Sequence, residues 1–247
     1  MNVDELLDLI RTRRSMRRFK PDQIPEEYIE KMIEAVRWSP SGANAQPWEI
    51  IIIRDPETKN KMAEMYREIR YEYYSIEQTH VPELRHHQLR HHPKDMPLPG
   101  FKDAPVVFVI CGDRRTFQAT VLAGRFIGEE CGLEGTYTKN LANATYGLML
   151  AASVMGLSSQ WLTIGSDWAQ MLKPILGVPP ILQLHTLVPV GYPAYEPRPP
   201  YRRNAEEFVY YEKYNISKFR SGDQIIDFVR RLREHTEGAY SQERKEP

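Results

Sequence analysis

The decapeptide Ser39-Pro-Ser-Gly-Ala-Asn-Ala-Gln-Pro-Trp48 separates two apolar patterns of different period. Before it, Ile29, Met32, Ile33 and Val36 recur at helical spacing after Pro25. After it, Trp48-Glu-Ile-Ile-Ile-Ile53 is β-branched and almost continuous, the composition of a strand covered on both faces, and Asp55-Pro56 closes it. The side chains of the decapeptide are small, so its main-chain N–H groups stay open to an anion or to a flat ligand lying against the backbone. About 25 residues upstream stands Arg13-Arg14-Ser15-Met16-Arg17-Arg18-Phe19, directly after Leu6, Leu7 and Ile10 at helical spacing. Guanidinium forks at this density suit a phosphate. Alone, the cluster reads equally as a solvated basic helix end. Joined to a small-residue loop, it points to a ligand with a phosphate and a planar ring.

The rest of the chain alternates apolar patterns with punctuation. A third helix is expected over 56–74, with Met62, Met65, Tyr66, Ile69 and Tyr73 along one side. Over 75–103 histidines, prolines and charges replace any apolar period, which reads as a surface excursion or lid. Ala104-Pro-Val-Val-Phe-Val-Ile-Cys111 is a second buried strand, and 138–155 a closely packing small-residue helix ended by Gly156-Leu157. Strands are expected over 159–163 and 183–190, with a short helix over 167–176 between them. Strands separated by helices predict a layered α/β-type core. After Gly191-Tyr192-Pro193, six of the eight residues 197–204 are proline or arginine, the composition of an extended arm. A last amphipathic helix is expected over 223–234 before a fraying polar tail. With no repeat and no linker, 1–247 reads as a single domain carrying an insertion at 75–103 and a C-terminal arm at 193–247.

Composition excludes several classes. Lys plus Arg and Asp plus Glu are 33 each among 247 residues, so no net field draws in nucleic acid or an anionic membrane. Two cysteines without ligand spacing, no leader pattern and no apolar run long enough to cross a bilayer lead us to expect a cytoplasmic protein. His87 and His91 share a helix face, but no carboxylate or cysteine completes a ligand set and Pro93 breaks the helix, so no metal is expected. Tyr66, Tyr71, Tyr73 and Tyr74 are read either as half-buried packing or as a stacking surface for a flat ligand. No GxGxxG, GxxxxGK[ST] or nucleophile-elbow pattern occurs. A nicotinamide reductant would therefore share its cleft with the second substrate and react by ping-pong kinetics.

In this order and spacing, the arginine-serine cluster and the decapeptide resemble the N-terminal signature of the nitroreductase family, FMN-dependent reductases with iodotyrosine deiodinase-like and benzimidazole-synthase-like branches. The resemblance covers most of 5–210 and extends to Leu187-Val-Pro-Val-Gly-Tyr-Pro193 and the basic pair Arg202-Arg203. It implies an α+β fold with a mixed, mainly antiparallel sheet flanked by helices, in an intertwined homodimer with FMN at the interface and the arm crossing to the other subunit. Carried over by position, Arg13, Arg14, Ser15 and Arg17 would bind the ribityl chain, phosphate and pyrimidine edge, joined at the phosphate by Arg202 and Arg203. Pro40, Ser41, Gly42 and Asn44 would reach the flavin of the partner subunit, while Leu162, Thr163 and Gly165 would present backbone donors to its N5 and O4 edge. Larger nitroreductases often carry a glutamate where Ile164 stands, so no proton relay is assigned there. The implied activity is hydride transfer from NAD(P)H to FMN and on to a nitroaromatic, quinone or enone, with no catalytic side chain identified. The alternatives are reductive dehalogenation, oxygen-dependent flavin fragmentation, and a flavin-storage protein without turnover.

Overall fold

The computed structural model describes residues 2–81, 85, 92, 97–120, 133–197 and 199–243. Its elements are α1 (Val3–Thr12), α2 (Glu26–Arg37), β1 (Trp48–Ile53), α3 (Pro56–Glu77), β2 (Val106–Gly112), α4 (Arg114–Thr120), α5 (Leu133–Val154), β3 (Ser158–Ser159), β4 (Leu162–Thr163), α6 (Ser166–Leu176), β5 (Gln183–Gly191) and α7 (Gly222–Glu243). Local chemistry sets their ends. Asn2 and Glu5 form a reciprocal capping box on α1. Asp55 accepts the Thr58 N–H at 2.7 Å, ahead of Pro56 in the first turn of α3. Gly177, at φ 64°, closes α6 in the left-handed conformation. The last helix runs to Glu243 instead of fraying near 234; Glu237, Ala239, Gln242 and Glu243 are good helix formers that carry no apolar period.

The strands form one sheet in the order β1-β2-β5-β3, with β4 also on β5, and all four strand pairs are antiparallel. The α/β-type expectation is corrected here. Hydrophobic period reports burial and says nothing of strand direction, and the long connections over 54–105 and 113–182 let each strand return antiparallel. The α+β, mainly antiparallel arrangement implied by the family resemblance is the one observed.

Both faces of the sheet are covered. Val106, Phe108, Ile110, Val188 and Val190 share one core with Ile29, Met32 and Val36 of α2 and with Leu141, Ala144 and Leu148 of α5. Val107, Val109, Cys111 and Leu187 share the other with Met62 and Ile69 of α3 and with Trp168 and Leu172 of α6. That alternation is the period-2 pleat of β2 buried on both sides. β1 is an edge strand, and only Ile53 in it is fully buried. Lys59 is buried and donates its ammonium to the Ala104 carbonyl at 2.6 Å; desolvation pulls its pKa below the ordinary lysine range.

By internal contacts the chain divides into two units, Met1–Tyr195 and Glu196–Pro247. In the second, Phe228 lies 6.1 Å from the Tyr201 ring and under the Arg220 guanidinium at 5.2 Å, while Tyr211 and Ile216 are 82% and 77% exposed. Among the described residues no helix is long and apolar enough to cross a membrane, and no group of metal-ligating side chains forms. Of the 75–103 insertion, residues 82–84, 86–91 (with His86, His87 and His91) and 93–96 lie outside the described residues, as does Cys131.

Candidate functional site

α1 ends where Arg13 turns to ψ 130°, and the following residues run along the β3 edge of the sheet. Ser15 bridges to Ser159 and Phe19 to Pro193. Three backbone bonds fix the segment: Met16 N–H to Ser159 O at 3.0 Å, Lys20 N–H to Tyr192 O at 2.9 Å and Ala194 N–H to Arg18 O at 3.3 Å. Met16 and Phe19 fill the core, which leaves Arg13, Arg14, Ser15 and Arg17 half-buried. Arg14 turns one Nη onto the carbonyls of Arg11 and Arg13. Nη1 of Arg13 is buried and has no hydrogen-bond partner among the described residues. A guanidinium nitrogen withdrawn from water without an acceptor is strongly unfavourable, and an anionic oxygen would relieve it.

The same edge continues to β4, where Leu162 pairs with Leu187 and Thr163 with Thr186. The Ile164 N–H reaches the His185 carbonyl at 2.9 Å and its side chain is buried in the core, so the position said to lack a proton relay is a packing position. Gly165 then stands exposed at the N-cap of α6. Ser159 is opposite Val190 and Thr163 opposite Thr186, which separates Ser159, where Ser15 bridges, from Thr163 by about 13 Å at strand rise.

The tyrosines of α3 sort by contact. Tyr66 is core packing, its ring 4.9 Å from Trp168 and 6.2 Å from Phe101. Tyr71 and Tyr74 each lie edge-on to His92 at 5.1 Å. Tyr73 places its hydroxyl 3.6 Å from where a Cβ at Gly165 would stand, beside the start of α6.

The loop is built differently. Gly42–Asn44 forms a 3-10 turn in which Ala43 and Asn44 both have φ 53°, and Gln46 follows at φ 45°. Ser41 closes it, its carbonyl accepting from Asn44 at 3.0 Å and its hydroxyl from the Gln46 N–H at 3.1 Å. Pro40 and Asn44 are exposed, Ser41 and Gly42 half-buried. The loop feeds β1, whereas the arginine segment lies on β3, the opposite edge of the sheet. Within one chain the two halves of the expected site are therefore not brought together. Arg202 and Arg203 belong to the second unit, where Arg202 is exposed and donates to the Tyr201 carbonyl at 2.9 Å and Arg203 sits 5.1 Å above the Phe208 ring.

Residues 10–192 match the Nitroreductase family. The chain belongs to the nitroreductase family. The NADH dehydrogenase of Thermus thermophilus is 30% identical over 202 residues, which span 80% of this chain and 91% of that protein. Among solved structures, the NADPH:FMN oxidoreductase from Vibrio harveyi complexed with NAD+ has a TM-score of 0.66 at 19% identity, covering 96% of this chain and 88% of that one. Oxidized iodotyrosine deiodinase bound to FMN and 3-iodo-L-tyrosine has a TM-score of 0.63 at 24% identity, covering 85% and 98%. The family match includes the arginine segment, the loop and Gly165, and stops short of Arg202 and Arg203.

Three residues that position these parts escaped the sequence reading. Gly100 lies against the backbone of Arg17 and Arg18, and Asn140 and Asn143 of α5 bond the loop. The two asparagines were detectable as polar residues breaking the small-residue pattern of 138–155. Nothing in the local sequence marks Gly100.

Proposed function

We propose that this nitroreductase-family chain is an FMN-dependent oxidoreductase that takes electrons from NAD(P)H and passes them to a small electron-poor acceptor such as a nitroaromatic, quinone or enone. One observation carries the reading: the buried Nη1 of Arg13 lacks an acceptor among the described residues, at one end of a sheet edge whose other end is a bare glycine at a helix start. That combination suits a ligand with a phosphate at one end and a flat ring at the other. FMN, when bound, supplies hydride acceptance and delivery.

The chain's own residues orient it. Arg13, Arg14 and Ser15 hold the phosphate and ribityl chain, and Arg17 adds a fixed positive charge at the pyrimidine edge. Leu162, Thr163 and Gly165 present main chain to the ring, and Gly165 leaves its face uncovered. Because Pro40, Ser41, Gly42 and Asn44 lie on the opposite sheet edge, they serve the site of a second copy, which makes the working unit a homodimer. Arg202 and Arg203 join the phosphate from the arm. A free, buried Cys111 in place of a disulfide suits a cytoplasmic setting. NAD(P)H and acceptor use one cleft in turn.

The test is direct. Purified protein is expected to be yellow with about one FMN per chain, and anaerobic mixing with NADH or NADPH to bleach the flavin band rapidly. Colourless protein that takes up no added FMN refutes the cofactor; bound flavin that neither nucleotide bleaches refutes the reductase and favours a storage protein.

A further inference from the structure

The loop at 40–46 holds a conformation that its own sequence disfavours. Ala43 at φ 53° and Gln46 at φ 45° lie in the left-handed region without being glycine or asparagine, and such residues persist only where the surroundings over-determine them. The surroundings here are one stripe of α5, spaced at i, i+4, i+7 and i+11. At Gly147 a Cβ would come within 2.9 Å of the Ser39 hydroxyl and 3.3 Å of the Ala35 carbonyl, so its absence lets the end of α2 seat. Asn143 donates Nδ2 to the Pro40 carbonyl at 3.3 Å. Asn140, only 3% exposed, accepts the Gly42 N–H on Oδ1 at 3.1 Å. Thr136 lies under Gly42, its Cγ2 3.2 Å from where a Cβ would stand. The helix thus grips the loop at Ser39, Pro40 and Gly42 and leaves Ala43 and Asn44 outward.

We infer that Asn140, assisted by Asn143, is a positioning residue for flavin binding: its buried carboxamide holds Gly42 so that the left-handed turn at Ala43 and Asn44 is preformed before it meets a flavin. A buried asparagine is unfavourable unless bonded, and this one spends its acceptor on the loop, while Nδ2 has no hydrogen-bond partner among the described residues. The acceptor oxygen is therefore the working atom. Without it the loop relaxes toward ordinary backbone angles, and FMN binding must supply the ordering each time. This rests on the flavin reading of the loop proposed above.

The experiment uses the purified full-length protein. FMN release is followed by the return of free-flavin fluorescence on dilution, and exchange of the Gly42 amide by hydrogen exchange. Asn140→Ala, which leaves the Gly42 N–H without an acceptor, is expected to speed both by about tenfold or more. Asn140→Asp keeps an acceptor oxygen and is expected to stay within about threefold of wild type. Thr145→Val is the control: that hydroxyl is equally buried on α5 but bonds only the Leu141 carbonyl, so it should leave both rates unchanged. Should Asn140→Ala fold poorly, the exposed Asn143→Ala is expected to move both rates in the same direction by a smaller factor. Unchanged rates in Asn140→Ala and Asn143→Ala, or Asp behaving like Ala, overturn the inference. Wild-type protein that takes up no FMN refutes instead the flavin reading, and with it the ligand the loop is held for, whereas Gly42 exchange still reports whether Asn140 grips the loop.

Discussion

Gly100→Ala is expected to damage the arginine segment of the proposed flavin site, at Arg17, from outside it. Gly100 opens the 3-10 turn Gly100–Asp103, and its φ is not in the left-handed region, so alanine meets no conformational objection there. The obstacle is space. A Cβ at that position would stand 3.1 Å from the Arg17 carbonyl carbon, 3.7 Å from the Arg18 Cα, and inside the contact limit of the Arg17 carbonyl oxygen. Ordinary carbon contacts are about 3.5–4.0 Å, so the Arg17 backbone has to give way by about 1 Å. It has little freedom, being pinned to Ser159, Tyr192 and Ala194 by the three bonds along the β3 edge. Overpacking of this kind costs about 1–3 kcal/mol, or a fall of about 2–4 °C in Tm per kcal/mol for a chain of this size. On the proposed flavin site, moving Arg17 by about 1 Å would also take its guanidinium out of hydrogen-bond range of the pyrimidine edge. Thermal melts with and without FMN, and FMN titration of each protein, check both parts. A Gly100→Ala variant with wild-type Tm and wild-type flavin affinity would refute the reasoning, because it would mean that the arginine segment is free to shift.

Three further outcomes are expected. Arg13→Ala should weaken FMN binding by about 1.5–3 kcal/mol, the scale of a charge-assisted hydrogen bond, and the exposed Arg202→Ala by less; fluorescence titration that finds Arg13→Ala unchanged would mean the phosphate lies elsewhere. Burial pushes the Cys111 thiol up to about 12 from 9.0, so in a Cys131→Ser background a thiol reagent at pH 8 should modify only denatured protein. Since the unfolded thiol ionises first, this group makes stability fall as pH rises from 9.0 toward about 12, a slope that Cys111→Ala should remove from pH-dependent melts. Light scattering should return twice the 28.9 kDa of one chain; a monomer that still binds FMN tightly would contradict a site shared between two copies.

Much of the fold was legible because burial leaves a period. β2 alternates between two cores, and its apolar run announced a strand covered on both faces. Helices α2, α3 and α6 lie near their expected places for the same reason. What stayed hidden depends on which atoms meet at long sequence separation. Strand direction is one case, since a period is the same read either way. The strain at Ala43 is another: Gly42 advertises permissive backbone, yet the left-handed angles fall on its neighbours, fixed by Asn140 some hundred residues away.

The site components show the same division between type and place. Arg13 stood out as a candidate phosphate ligand through the density of guanidinium groups around it. That its Nη1 is buried without a partner among the described residues, while Arg14 spends a nitrogen on nearby carbonyls, follows only from how α1 ends and how residues 15–20 lie on the sheet edge. The loop and the arginines read in sequence as one constellation, about 25 residues apart. The sheet puts them on opposite edges, and α5 adds distance: from Asn140 under the loop to Val154 near β3 it rises about 20 Å. A ligand held by Arg13 therefore cannot also touch Asn44 of the same chain. Either the loop has no part in that ligand's site or a second copy brings its loop to the first copy's β3 edge. The strained, clamped turn at Ala43 favours the second, because strain that a fold goes to the length of clamping in place is characteristic of a segment with a binding role.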